Sequence, residues 1–387
     1  MVMSIKVTSS MFNRSCVEID LGALKNNISE IRRITSKNAQ IMAVVKADAY
    51  GHGAVTVAKT LLENGADQLC VATIDEAIEL RKANINSNIL ILGYTDPTRF
   101  ADVVSYSIDQ AVYDFDTAKA LSDEAIKNNK KVNIHVKIDS GMGRIGIKPG
   151  PDSTQDIDRI CALEGLIPYG IFSHFAVADE NDDEYTLQQF DCFMKQVEAL
   201  NDKGIHFTLR HICNSAGLMR FPQMHLDMVR AGIILYGLMP KGCPKGYTAI
   251  NLIPVMSWCA KIIYSKQVDP GTSVSYGRHF ISARKTNVLT VSVGYADGLS
   301  RRFSNDFSLL VEGEKVPIIG NICMDMCMLD GTDMKTKAHV ESLVEVFGKD
   351  RPADELADYL GTINYEITCV VGKRVQRIFA DENGIVQ

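Results

Sequence analysis

Lys46 closes an apolar run that begins at Ile41, and Tyr50, Gly51, His52 and Gly53 follow within seven residues. At a strand end a half-buried ammonium loses hydration, so its pKa falls and the neutral amine becomes available. Imine formation with an aldehyde requires such an amine. The competing reading is a lysine whose head snorkels to solvent. A second cluster, SGMGRIG at 140–146, spells the dinucleotide pattern G-x-G-x-x-G. That pattern should open a helix at its third glycine, and Pro149 and Pro151 argue against one there. What remains is Arg144 on a glycine-rich loop, a good place to grip a carboxylate. Lys137 lies seven residues earlier, on a strand pattern.

Two further clusters bear polar groups at loop starts. CNSAG (213–217) and VRAGIILYG (229–237) offer the Ser215 hydroxyl and, at Gly232, backbone that another group can approach closely. Arg230 sits beside them. VSYGRHF (274–280) and VGYADG (293–298) each set a tyrosine against a glycine, Tyr276 and Tyr295. Strand tyrosines are ordinarily packing residues with a satisfied hydroxyl. Serine and glycine at loop starts are ordinarily turn chemistry.

The elements that must carry these residues follow from patterning. Apolar runs at 41–49, 68–73, 89–93, 110–113, 132–138, 169–174, 208–213 and 226–230 alternate with helical patterns such as Leu24, Ile28, Ile31 and Ile34. Eight strand–helix units in about 240 residues fit a parallel (β/α)8 barrel, with an open doubly wound sheet as the rival. In a barrel, Lys46 falls at the C-terminal face, where barrels place their chemistry, and the seventh and eighth strands border the usual phosphate position. After residue 242 the texture becomes β-branched runs with glycine and proline turns, and 353–360 reads as the one clear helix. The expected domains are therefore 1–242, the barrel, and 243–387, mainly β, with a linker at 240–246.

At 387 residues two domains are expected, and a net charge of −6 gives no basic stripe for nucleic acid or membrane. No run approaches the roughly 20 apolar residues of a membrane span, and the N-terminus lacks a signal-peptide core. Ten cysteines then read as reduced thiols in the cytoplasm. Cys323 and Cys327 have no partner pair for zinc, so no metal is expected.

Taken in order, AVVKADAYGHG, VKIDSGMGRIG, SHFA, CNSAG, VRAGIILYG, SVSYGR, VGYADG, NICMDM and TINYEI resemble bacterial alanine racemases over nearly the whole length. The resemblance implies pyridoxal 5'-phosphate carried on Lys46, and interconversion of L- and D-alanine that supplies D-alanine for peptidoglycan. It implies that Tyr50, Asn214, Ser215, the backbone of Gly232 and Ile233, and Tyr365 hold the cofactor. Arg230 would face its pyridine nitrogen, Arg144 its phenolic oxygen and the substrate, and His174 would link Arg230 towards Tyr276. Tyr276 would be the base opposite Lys46, Tyr295 and Met324 would line the substrate pocket, and Lys137 matches a lysine often carbamylated. A homodimer is implied, with Tyr276 and Met324 supplied to the partner subunit's site. The alternatives are a racemase of serine or broader specificity, a decarboxylase on the same cofactor barrel, or a cofactor carrier without catalysis.

Overall fold

The computed structural model describes residues 7–242 and 247–386. Among them, eight parallel strands close into a barrel: Gln40–Val44, Gln68–Val71, Ile89–Ile91, Asp109–Val112, Val132–Lys137, Leu166–Phe172, Leu209–His211 and Met228–Ala231. The first strand pairs with the eighth from Gln40 opposite Met228 to Ala43 opposite Ala231, which seals the ring. Strands covered on both faces need continuous apolar sequence. Gln68–Val71, Ile89–Ile91 and Met228–Ala231 are buried throughout. The helices between them bury one stripe: Leu24, Ile28 and Ile31 are fully covered, the helical spacing seen in the sequence. Side-chain caps fix helix starts, with Thr73 accepting from Glu76 N–H, Asp114 from Thr117 and Asp182 from Tyr185.

The chain divides into two compact units, and the division differs from the sequence expectation. One is Leu24–Ile253; the other joins the chain up to Ala23 with the chain from Pro254 onward. The reason is the strand Ser15–Asp20, which pairs antiparallel with Met256–Val268 and parallel with Gln376–Asp381. It therefore belongs to the C-terminal sheet and not to the barrel. The expected boundary at 242/243 moves to 253/254, and residues 243–246 of the expected linker lie outside the described residues.

That second unit is built on a sheet with nine strands among the described residues. Its spine, Met256–Val268, also pairs with Thr286–Val291 and Leu343–Phe347, and buried Trp258 meets Phe347 edge-on at 5.9 Å. The helix expected at 353–360 is Ala353–Leu360, and a second one, Asn364–Cys369, was not foreseen. No helix among the described residues is long and apolar enough to cross a membrane.

Candidate active site

The first barrel strand ends at Val44, so Lys46 lies two residues past it rather than on it. The backbone then makes a left-handed turn through four non-glycine residues, Ala47, Asp48, Ala49 and Tyr50, all with φ of 53 to 54°. Each such residue costs roughly 1–2 kcal/mol against the right-handed form. The turn is held from both ends. Gly51 N–H donates to Ala47 O and Ala49 N–H to Val45 O, both at 2.9 Å, and Ala54 N–H donates to Asp48 Oδ1 at 2.7 Å. From the neighbouring helix, Glu76 Oε1 accepts from Ala47 N–H at 2.7 Å while Oε2 accepts from Ala72 and Thr73. The result sets half-buried Lys46 at the barrel's C-terminal end and turns Tyr50 inward, where its ring packs 4.8 Å from Tyr236.

Tyr50 meets the seventh and eighth strands' loops. A Cβ built on Gly232 would stand 3.0 Å from Tyr50 Oη and 3.5 Å from Ser215 Oγ, so the two hydroxyls and this bare backbone converge. Gly232 N–H donates to Ser215 Oγ at 3.0 Å. Asn214 caps the short helix Ser215–Arg220 by accepting from Gly217 N–H. Ile233 opens the one-turn helix Ile233–Tyr236. Two hydroxyls and approachable backbone suit a phosphate.

Arg230 lies on the eighth strand, 3% exposed. Its guanidinium donates to His211 Nδ1 at 2.7 Å, Ser173 O at 2.8 Å, Ile212 O at 3.0 Å and His174 Nδ1 at 3.1 Å. Burial pushes it down to about 10, which leaves it charged at neutral pH. Burial and then Arg230's charge push His174 and His211 well below the ordinary histidine range. A buried cation is thus met by neutral imidazoles and carbonyls, and by no carboxylate among the described residues. Lys137 ends the fifth strand, 3% exposed, its Nζ 4.4 Å from the Phe172 ring centroid. Burial, Arg230 and Arg144 together hold it well below the usual lysine range, against Asp139. Arg144 stands exposed on its glycine loop. A helix does follow, but it opens at Pro151, five residues beyond Gly146, with proline at its first turn where the missing N–H is harmless.

The barrel thus brings together Lys46, Tyr50, Lys137, Arg144, His174, Asn214, Ser215, Arg230, Gly232 and Ile233 at the C-terminal ends of its strands. The β unit carries the other four. Tyr276 is 73% exposed, on a loop whose carbonyl accepts from Asn321 Nδ2 at 2.7 Å. Tyr295 and Met324 share a neighbouring backbone knot: Tyr295 N–H donates to Cys323 O and Ala296 N–H to Met324 O. Tyr365 lies on Asn364–Cys369. Sequence reasoning passed over His135, Phe172, His211 and Glu76. His135 had a signal: two residues before Lys137 on one strand, it must share Lys137's face.

A closed barrel with a lysine past its first strand and a hydroxyl-lined, glycine-bared cradle past its seventh and eighth has the layout of a barrel enzyme, here joined to a β unit. The N-terminal domain model of alanine racemase matches residues 19–240, and the C-terminal domain model matches 255–379. The chain belongs to the alanine racemase family. It is 44% identical to an alanine racemase of Desulforamulus reducens across 94% of this chain and 98% of the relative. The alanine racemase of Clostridium difficile 630 superposes with a TM-score of 0.94 at 39% identity, covering 97% of this chain and 98% of that one. That of Bartonella henselae, described with covalently bound pyridoxal phosphate, gives 0.84 at 29% identity over 95% of this chain and 100% of that one.

Proposed function

We propose that this chain interconverts L- and D-alanine through two bases, Lys46 and Tyr276, with pyridoxal 5'-phosphate held covalently on Lys46. The observation that carries the reading is the convergence of Tyr50, Ser215 and Gly232 beside the turn that leads from Lys46. Asn214, Ile233 and Tyr365 belong to the same proposed phosphate grip. When bound, the cofactor supplies an electron sink for the charge left at the substrate Cα.

The protein's part is proton placement. A base on one face of Cα cannot easily return a proton to the other, so racemisation needs two opposed bases. Lys46 takes the proton from D-alanine and Tyr276 takes it from L-alanine. Tyrosine is a weak base, with an ordinary pKa of about 10, and positive charge nearby favours its phenolate. Arg144 and Arg230, the latter through His174, supply that charge in this reading. Arg230 would face the cofactor's pyridine nitrogen, and a guanidinium that stays charged at neutral pH would not give up its proton there. Arg144 orients the substrate carboxylate, and Tyr295 and Met324 close the pocket around a methyl group. Lys137, its charged form disfavoured by burial, would react with carbon dioxide, and the carbamate's negative charge would hold Arg144.

The exposure of Tyr276, Tyr295 and Met324 supports a homodimer in which each subunit lends Tyr276 and Met324 to its partner. Work in the cytoplasm, feeding D-alanine to peptidoglycan, completes the proposal. The test is racemisation of each alanine enantiomer by the purified protein. Lys46→Ala and Tyr276→Phe should each abolish racemisation in both directions, while Tyr276→Phe should still exchange the Cα hydrogen of D-alanine with solvent and lose that exchange for L-alanine. Lys137→Ala should lose activity that small carboxylates partly restore. Equal activity of Tyr276→Phe and wild type from L-alanine would reject the two-base assignment.

A further inference from the structure

The barrel interior holds a line of polar groups that leads away from Arg230. Arginine can only donate. His211 Nδ1, 2.7 Å from Arg230 Nη1, must therefore be the unprotonated nitrogen, and the proton of this neutral ring sits on Nε2. That Nε2 is 2.9 Å from His135 Nδ1, which must accept, so the His135 proton is on its own Nε2. His135 Nε2 is fully buried and makes no hydrogen bond, and Asp109 Oδ2 stands 4.0 Å from it. Asp109 opens the fourth strand, at the opposite end of the barrel from Lys46, and accepts from Asn88 Nδ2 at 2.9 Å and Asn133 Nδ2 at 3.1 Å.

We propose that Asp109 and His135 are positioning residues for Arg230: they set the direction of a one-way donor chain that keeps His211 Nδ1 free to accept from the guanidinium. The two imidazoles taken alone can run in either direction. In the reversed one, His211 carries its proton on Nδ1, and two donors confront each other, desolvated, at 2.7 Å. A carboxylate at the far end favours Nε2–H on His135, which selects the working direction.

Packing fixes the two rings independently. Gly170 lies opposite His135 in the strand register, and a Cβ there would fall 2.2 Å from His135 Nδ1. Phe172, two residues on, stacks on His211 at 4.8 Å with 7° between the rings, and Arg230 Cζ lies 5.4 Å from the centroid of the same Phe172 ring. The rings cannot turn over without rebuilding the sixth strand, so the choice left to them is where the proton goes. Burial, then Arg230, pushes His135 down to about 3, and burial pushes Asp109 up to about 6. At neutral pH the ring is uncharged and the carboxylate is ionised, as the chain requires.

The catalytic consequence rests on the reading in which Arg230 faces the cofactor ring; the proton order does not. The full-length chain labelled with 15N-histidine, with and without pyridoxal phosphate, should show both His135 and His211 neutral and protonated on Nε2. His211 protonated on Nδ1, or on both nitrogens, overturns the proposal. His135→Asn places an amide oxygen where Nδ1 accepts, and His135→Leu does not. His135→Asn should keep the His211 pattern and most of kcat. His135→Leu should move the His211 proton, shift the absorbance of the bound cofactor and lower kcat on the order of 10- to 100-fold with little change in KM. A purely structural role would favour the apolar leucine, so Leu equal to or better than Asn overturns the proposal. Should neither variant fold, the wild-type spectrum still decides. A correct proton order in a protein that does not racemise alanine would sink the proposed function and leave the order standing.

Discussion

Arg230 keeps its charge in a place without a counter-charge, and the histidines around it bear the cost. His135 and His211 are wholly buried and held neutral. Their folded pKa values lie below the unfolded value of about 6.5, so the stability they contribute is present above that pH and lost on acidification. Asp109 works in the opposite sense. Its pKa is raised to about 6, so stability is regained as pH falls through 6. Three buried histidines, His174 among them, against one carboxylate give a net loss of stability between about pH 7.5 and 5.5. Urea unfolding midpoints at the two pH values measure it, and His135→Asn should flatten the difference. A midpoint that rises on acidification would mean Asp109 dominates. Lys46 and Arg230 were legible in the sequence because each ends a strand-like run, with glycine following at 51 and 232. The His135–His211 contact was not, since no single strand reveals which inward faces meet across a barrel.

The turn Ala47–Tyr50 and the helix Ile74–Lys82 form one working element joined by Glu76. One carboxylate takes backbone N–H groups from Ala47, Ala72 and Thr73, and so clamps a strained turn to a helix start. Glu76→Ala should cost about 1–2 kcal/mol, the loss of a cap and its hydrogen bonds. It should also weaken retention of pyridoxal phosphate in dialysis, while Glu76→Gln, which keeps one acceptor, should fall between. Unchanged retention would show that the turn holds itself. The barrel strands were readable because burial on both faces writes them as apolar runs. The left-handed turn was not, because alanine, aspartate and tyrosine give no sign of positive φ. Asn364–Cys369 escaped because six residues with Ile367 and Thr368 are too short and too β-branched to show helical spacing.

At the scale of the molecule, the proposal of shared sites has a quantitative outcome. Lys46→Ala and Tyr276→Phe homodimers each lack a base in both sites. Mixed by unfolding and refolding, half the dimers are hybrids, each with one site that carries both substitutions and one that carries neither. About a quarter of wild-type activity should therefore return. No recovery would place both bases on one subunit. The two-unit organisation itself was half legible: the change of texture after residue 242 is in the sequence, but the allegiance of Ser15–Asp20 is not. SCVEID abuts the first helix in sequence, and only its pairing with Met256–Val268 and Gln376–Asp381 removes it from the barrel.

That allegiance constrains biosynthesis. The ribbon Cys16, Val17 and Ile19 emerges from the ribosome before the barrel, yet its two flanking strands are made only after the barrel. Throughout translation of the barrel it stays a strand with two open edges, a ready template for a neighbouring nascent chain. A chain arrested before Met256 should then be sticky through Ser15–Asp20, and its barrel need bear none of the blame.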